Sequence, residues 1–236
     1  MKIKRRSVVE EEHQFLWLSD TILGGQDGLV NVLGLVLGVA AATADSRIIL
    51  AAGFAAAFAE SIAMAGVAYT SRLTEHEHYL AEKAREAQEI NQMPQQETEE
   101  IRAIFTRKGF VEPLLSQVVG HITSDKKLWL DTMMRDELGL EEKTREGAIQ
   151  AALVVGISAI LGSLIPLVPF FFLASWQAMW LALAISALVL FLVGLYKARV
   201  TIGKPWKSGL QMMTIGITSA LAGYLIGLVF RLPAGV

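Results

Sequence analysis

An all-α membrane protein, with five transmembrane helices and a helical insert between the second and third, is the fold class this sequence predicts. Three observations predict it. First, 53% of the 236 residues are hydrophobic and 19% charged, with mean hydropathy +0.45, whereas soluble domains sit near 45–50% and 25%. Second, the apolar residues gather into five runs, each close to the roughly 20 residues that a helix needs to cross about 30 Å of hydrocarbon. Third, residues 73–146 break the pattern, with 16 acidic residues against 10 Lys and Arg. The expected organisation is an N-terminal segment over 1–19, helices one and two over 20–72, a soluble helical insert over 73–146, and helices three to five over 147–236.

The first span, residues 20–43, opens on Ser19-Asp20 and continues through a glycine-rich apolar run. The second covers 48–70, with Glu60 as its one ionisable interior residue. Only 44–47 lie between them, so the two form an antiparallel hairpin and touch. In the insert, the spacings Ile101, Ile104, Phe105 and Leu128, Leu130, Met134, Leu138 predict helices with one covered face, broken at Pro94 and Gly109. Three spans follow, over 148–168, 171–196 and 209–230. Pro166 and Pro169 mark the turn between the first two of these, because proline at a helix end removes a donor that would go unpaired there.

Lys2, Lys4, Arg5 and Arg6 at the N-terminus and Lys197, Arg199, Lys204 and Lys207 between spans four and five fall on one side of a five-crossing protein. The other side has only Arg47 and Arg231. The excess of short-loop cations predicts a cytoplasmic N-terminus and a cytoplasmic insert. Glu10 to Glu12 follow the basic start before any apolar run, unlike a secretory signal. With no cysteine, thiol catalysis, disulfides and zinc–thiolate sites are excluded. No phosphate-binding glycine loop occurs, no nucleophile–base set is visible, and no basic, aromatic-interleaved stretch suggests nucleic acid.

An ionisable residue inside a span costs about 2.5–3.5 kcal/mol on insertion scales and reads by default as part of a pathway. Asp27 stands out, flanked by Gly24, Gly25 and Gly28 with Asn31 one turn later. Glu60 and Met64 form a matching pair on the second span. Oxygen with thioether suits a borderline metal such as Fe(II) better than Mg(II) or Ca(II). Asp27 solvated at a membrane edge, and Met64 as ordinary packing, are the bland alternatives. In the insert, Glu86 and Glu89 are three apart, as are Glu97 and Glu100, with Pro94 between the pairs. Helices folding back around Pro94 would let the four carboxylates converge; a solvated acidic face is the bland alternative. Met133 with Glu137 is a third element, since adjacent Met133 and Met134 do not share one α-helical face. Glu75 to His78 and Glu10 to His13 carry the Glu-x-x-His spacing of di-iron bundles, a rival pattern.

Three motifs then converge. Ser19-Asp20-Thr21-Ile22-Leu23-Gly24-Gly25-Gln26-Asp27-Gly28-Leu29-Val30-Asn31, Glu60-Ser61-Ile62-Ala63-Met64-Ala65-Gly66 and Trp129-Leu130-Asp131-Thr132-Met133-Met134-Arg135-Asp136-Glu137-Leu138-Gly139-Leu140 together resemble the vacuolar iron transporter family, over essentially the whole chain. The resemblance implies a homodimer in a lipid bilayer, a pathway between subunits lined by the first two spans, and export of Fe(II) from the cytosol against protons. It implies metal handling in the membrane by Asp27 and Met64; Asp20, Asn31 and Glu60 are added to the expected pathway from their own place in or beside the first two spans. It also implies a cytoplasmic metal-binding insert built on Glu86, Glu89, Glu97, Glu100, Met133, Met134 and Glu137. One departure is visible: some members have an acid two turns before the methionine, where this chain has Ala56, and its acid is Glu60.

Metal and proton compete for a carboxylate, because desolvation raises its pKa and a bound cation lowers it. That competition is the physical core of an antiporter, and Gly24, Gly25, Gly28, Gly34, Gly38, Gly53 and Gly66 are expected close-contact points between its helices. Mn(II), Co(II) and Zn(II) accept overlapping ligands. The membrane is the plasma membrane in a prokaryote, and a vacuolar or other organellar one in a eukaryote. Two rival functions remain at this level: a membrane-anchored metal buffer or sensor, and a ferroxidase using the Glu-x-x-His spacings.

Overall fold

A computed structural model describes residues 8–201 and 203–231, with side chains from Leu16 onward. It contains eight α-helices: α1 Val8–Ala42, α2 Ser46–Gln92, α3 Pro94–Arg107, α4 Leu114–Ser124, α5 Lys126–Thr132, α6 Arg145–Leu164, α7 Ser175–Val200 and α8 Pro205–Val229. A π-helical turn, Met133–Glu137, follows α5, and a 3₁₀ segment, Ile165–Phe171, follows α6. No strand occurs among the described residues. Five segments are long and apolar enough to cross a membrane, as expected: Leu16–Ala42, within Ser46–Gln92, Arg145–Phe171, Ser175–Val200 and Pro205–Val229.

The chain forms two compact units, Met1–Tyr69 with Ile149–Val236, and Thr70–Ala148. In the first, α1 is central, and backbone approach rather than side-chain interlock sets its packing. A Cβ at Gly24 would stand 2.2 Å from the Val155 carbonyl oxygen and one at Gly28 2.3 Å from that of Ala159, so only glycine lets α6 lie this close. Gly162 of α6 answers with a Cβ position 2.1 Å from the Gly25 oxygen. Farther along α1, Gly223 and Gly227 of α8 would each place a Cβ 1.9 Å from the carbonyl oxygens of Gly34 and Gly38 respectively. Lipid is as apolar as leucine, so helices in it gain by such close van der Waals contact.

The expected hairpin of spans one and two exists. Asp45 closes its turn by accepting from the Arg47 amide at 2.8 Å, and Val36 and Leu37 share an apolar cluster with Ile49 and Ala57. Ser175 at the start of α7 pins the same turn by donating to the Ala44 carbonyl. Two expectations are corrected. Pro166 and Pro169 do mark the end of the third α-helix, but they lie within a 3₁₀ segment that continues it, so the turn falls after Phe171 and the fourth span begins at Ser175 rather than at 171. Proline lacks only its own donor, and the three-residue hydrogen-bond spacing tolerates that loss in a short run. At Gly66 an added Cβ would meet nothing within 4 Å beyond its chain neighbours and its own helix backbone, so space does not demand a glycine there.

The second unit is built as a small soluble domain. Ile90, Ile101, Leu115, Val119, Ile122, Trp129 and Met133 form its core, with Phe105 and Phe110 packed edge to face beside it. Proline at the first position starts α3, Gly109 with φ +93° follows its end, and Asp125 caps α5 by accepting from the amides of Lys127 and Leu128 at 2.8 and 3.3 Å.

Candidate metal-handling sites

In the second unit the reversal at Met93–Pro94 brings the two glutamate pairs together. Glu86 and Glu97 are each 2% exposed, an unusual burial for carboxylates. Burial, then the charges of Glu100, Glu86, Glu89 and Glu137, pushes the Glu97 carboxyl up to about 7. Glu86 is raised by burial and by Glu89, with Arg85 opposing; Glu137 is raised by burial and by Glu100 and Glu86. Each of these glutamates therefore lies in the field of the others. Glu97 Oε2 is buried with no hydrogen-bond partner, a costly state for an acid.

The sequence reading missed the cation that now serves this cluster. Arg85 reaches Glu82 at 2.8 Å, Glu86 at 3.1 Å and Glu89 at 3.9 Å. Its signal was present: Glu82, Arg85, Glu86 and Glu89 follow the three- and four-residue spacing of neighbours on a helix. The guanidinium neutralises one side of the cluster and leaves Glu97 and Glu100 to each other.

The methionines are also better placed than an α-helix allows. In the π-helical turn the Leu138 amide donates to the Met133 carbonyl at 3.1 Å, and the Leu140 amide to that of Met134 at 2.8 Å. Both Met133 and Met134 of this turn are buried, at 0% and 1% exposed. Glu137 is exposed. Among the described residues no three His, Asp or Glu side chains close up tightly enough to hold a metal ion. The cluster is a concentration of negative charge beside two thioethers rather than a closed coordination shell.

In the first unit, Asp27 lies eleven residues beyond Leu16, roughly 16 Å along the helix axis. It is half-buried well inside the span, not at its edge. Asn31 is exposed and donates from Nδ2 to Glu60 Oε1 on α2, and Asp27 stands within hydrogen-bonding reach of the same carboxylate. Met64, half-buried, follows Glu60 by one turn, and Asp20 is half-buried nearer the start of α1. Four polar or thioether groups thus share the α1–α2 face, while the fully buried polar groups of this unit are only serines such as Ser61, Ser163 and Ser186.

The rival histidine pattern gathers no such set. Glu75 and His78 border a shallow pocket with Tyr79, Leu140, Glu141 and Lys143, and His76 Nδ1 bonds the Lys143 carbonyl. The side chains of Glu10 and His13 lie outside the described residues.

Five membrane-length helices, with oxygen and thioether donors both within the spans and in a soluble helical unit, define a polytopic integral membrane protein equipped to handle cations. The chain matches the VIT family over residues 18–228 and belongs to that family. It is 35% identical over 206 residues to vacuolar iron transporter 1 of Oryza sativa subsp. japonica, covering 87% of this chain and 82% of that one. To vacuolar iron transporter 1 of Arabidopsis thaliana it is 34% identical, covering 90% and 85%, and to the vacuolar iron transporter of Plasmodium falciparum 28%, covering 91% and 82%.

Proposed function

We propose that this protein is an iron transporter that moves Fe(II) out of the cytosol in exchange for protons. The carrying observation is the carboxylate pair Asp27 and Glu60, set with Asn31 and Met64 midway along helices that are otherwise apolar. A charged face half-open to lipid is costly. A second copy of the chain covering it, so that the pathway runs between two subunits, removes that cost. The relatives' names supply the metal, and Mn(II), Co(II) and Zn(II) compete for the same donors. They also supply a vacuolar membrane as the location in a eukaryotic cell.

In this reading the unit 70–148 faces the cytosol, on the side of the Lys- and Arg-rich loops. Glu86, Glu89, Glu97, Glu100 and Glu137 attract the cation there, and Met133 and Met134 favour a borderline metal over Mg(II). A cation arriving at Glu97 displaces the proton that its raised pKa retains. Asp27 then receives the metal within the span, with Asp20 on the approach and Met64 beyond.

The test is anaerobic Fe(II) flux into proteoliposomes under an imposed pH gradient. The unaltered chain is expected to move iron faster with the gradient, and Asp27→Ala to fall to the level of empty vesicles while keeping its elution volume. Flux that ignores the gradient removes the antiport. The buried carboxylates of the soluble unit favour a second reading, a membrane-anchored metal buffer. That reading takes over when the purified protein binds several Fe(II) yet neither form transports any.

A further inference from the structure

The hydrogen bonding on the α1–α2 face is not symmetrical. Glu60 receives the side-chain amide of Asn31 on one side and has Asp27 close by on the other. An ionised carboxylate only accepts, so the amide nitrogen must be the atom turned toward Glu60. That fixes the whole amide: Oδ1 points away from the carboxylate, as a neutral oxygen donor. Asn31 does not serve a buried group of its own, since it is exposed, and its helix neighbours Leu29, Val30, Val32 and Leu33 are buried and apolar. In the apolar surroundings of a span, two like charges in contact repel strongly, so a cross-helix donor to Glu60 steadies it beside Asp27. The amide of Asn31, donating across from α1, ties the Glu60 carboxylate of α2 in place.

We infer that Asn31 is the positioning residue of the intramembrane site, holding Glu60 beside Asp27 so that a divalent transition-metal ion meets two carboxylates there instead of one. This rests on the transporter reading above and adds to it a role for a neutral side chain. Two acids one contact apart favour a doubly charged ion over a singly charged one. The Met64 thioether, one turn from Glu60, then biases the site toward a borderline metal.

The experiment is a double-mutant cycle on the full chain in proteoliposomes, with anaerobic Fe(II) uptake measured over a range of Fe(II) concentrations. Asn31→Leu is expected to raise KM about tenfold, the scale of one hydrogen bond to a charged group, with the maximal rate within about twofold of the unaltered chain. Placed on a Glu60→Gln background the same change is expected to add nothing, because the group it positions has lost its charge. Asn31→Asp, nearly unchanged in volume, lacks the donor and adds a third acid, and is expected to raise KM as well; it serves where the leucine variant fails to insert. An unchanged KM in Asn31→Asp, or losses from Asn31→Leu and Glu60→Gln that multiply, overturns the inference. If the unaltered chain carries no iron, the transporter reading has failed. The cycle is then read from the Mn(II)-dependent rise in melting temperature of the purified protein in a Glu97→Gln background: non-additivity upholds the positioning role and additivity overturns it.

Discussion

The two units of this protein treat carboxylates in opposite ways. The unit 70–148 buries Glu86 and Glu97 to 2% exposure. The membrane unit leaves Asp27 and Glu60 half-buried, and among its described residues the interior holds apolar side chains, glycine and serine but no charged group. Two different reference media explain the contrast. A domain with an adequate apolar core can sustain a few buried acids at the cost of their desolvation. A helix bundle in lipid gains nothing from exchanging one apolar neighbour for another, so it spends its interior on backbone contact and leaves its acids half-buried at a surface.

The largest effects that test this contrast fall on the membrane unit. Asp27→Ala is expected to abolish flux without unfolding the bundle, because Asp27 lies on a partly open face and packs no core. Gly223→Val is expected to do the reverse. Its Cβ would meet the Gly34 backbone oxygen at 1.9 Å, and a backbone atom cannot rotate away, so α1 and α8 must separate at a cost of about 3 kcal/mol. Detergent-titrated unfolding and size-exclusion profiles distinguish the two. A stable Gly223→Val protein with normal flux would break the claim that backbone approach holds the bundle together.

Next in size is Glu97. Its carboxyl is raised from 4.5 to about 7 in the folded unit, so the charged form is disfavoured by folding. The resulting stability is fully present below about pH 4.5, is lost as pH rises toward about 7, and stays lost above it. Metal-free protein is therefore expected to melt at lower temperature as pH climbs through that window. Divalent metal added at the upper end is expected to restore the melting point and release protons. Glu97→Gln is expected to flatten the pH dependence, to raise metal-free stability at neutral pH by about 1–3 kcal/mol, and to lose most of the metal-dependent gain. A variant destabilised at neutral pH would mean that the buried acid is already satisfied.

Much of this contrast is legible in the sequence. The five spans follow from length and hydropathy alone, and the Pro94 reversal with its three-residue glutamate spacings places four acids in one small domain. What the sequence withholds is set by geometry between elements. Met133 and Met134 look incompatible until the π-helical turn widens the helix and buries both. Arg85 is one cation among ten in its stretch until the fold sets it against Glu82, Glu86 and Glu89. The bond from Asn31 to Glu60 spans 29 residues, and no local spacing announces it. Pro166 and Pro169 mislead in the other direction, since a proline pair signals the end of α-helix without saying whether a turn or a 3₁₀ run follows.

The smallest expected effect tests whether the soluble unit's outer charges matter in the way its buried ones do. Lys108, just past the end of α3, pairs with Asp136 in the π-helical turn, beside Met133, Met134 and Glu137. The pair is partly solvated, with side chains 43% and 32% exposed, so screening and side-chain entropy offset most of its Coulomb attraction. Lys108→Ala is expected to cost about 0.2–1 kcal/mol, fading as salt is raised, with metal-dependent stabilisation nearly intact. Internal amide bonds and burial of both methionines hold the turn independently of this pair. A loss well above 1 kcal/mol that persists in high salt would instead make the ion pair a strut of the π-helical turn, and would extend to the surface an electrostatic role so far confined to the buried carboxylates.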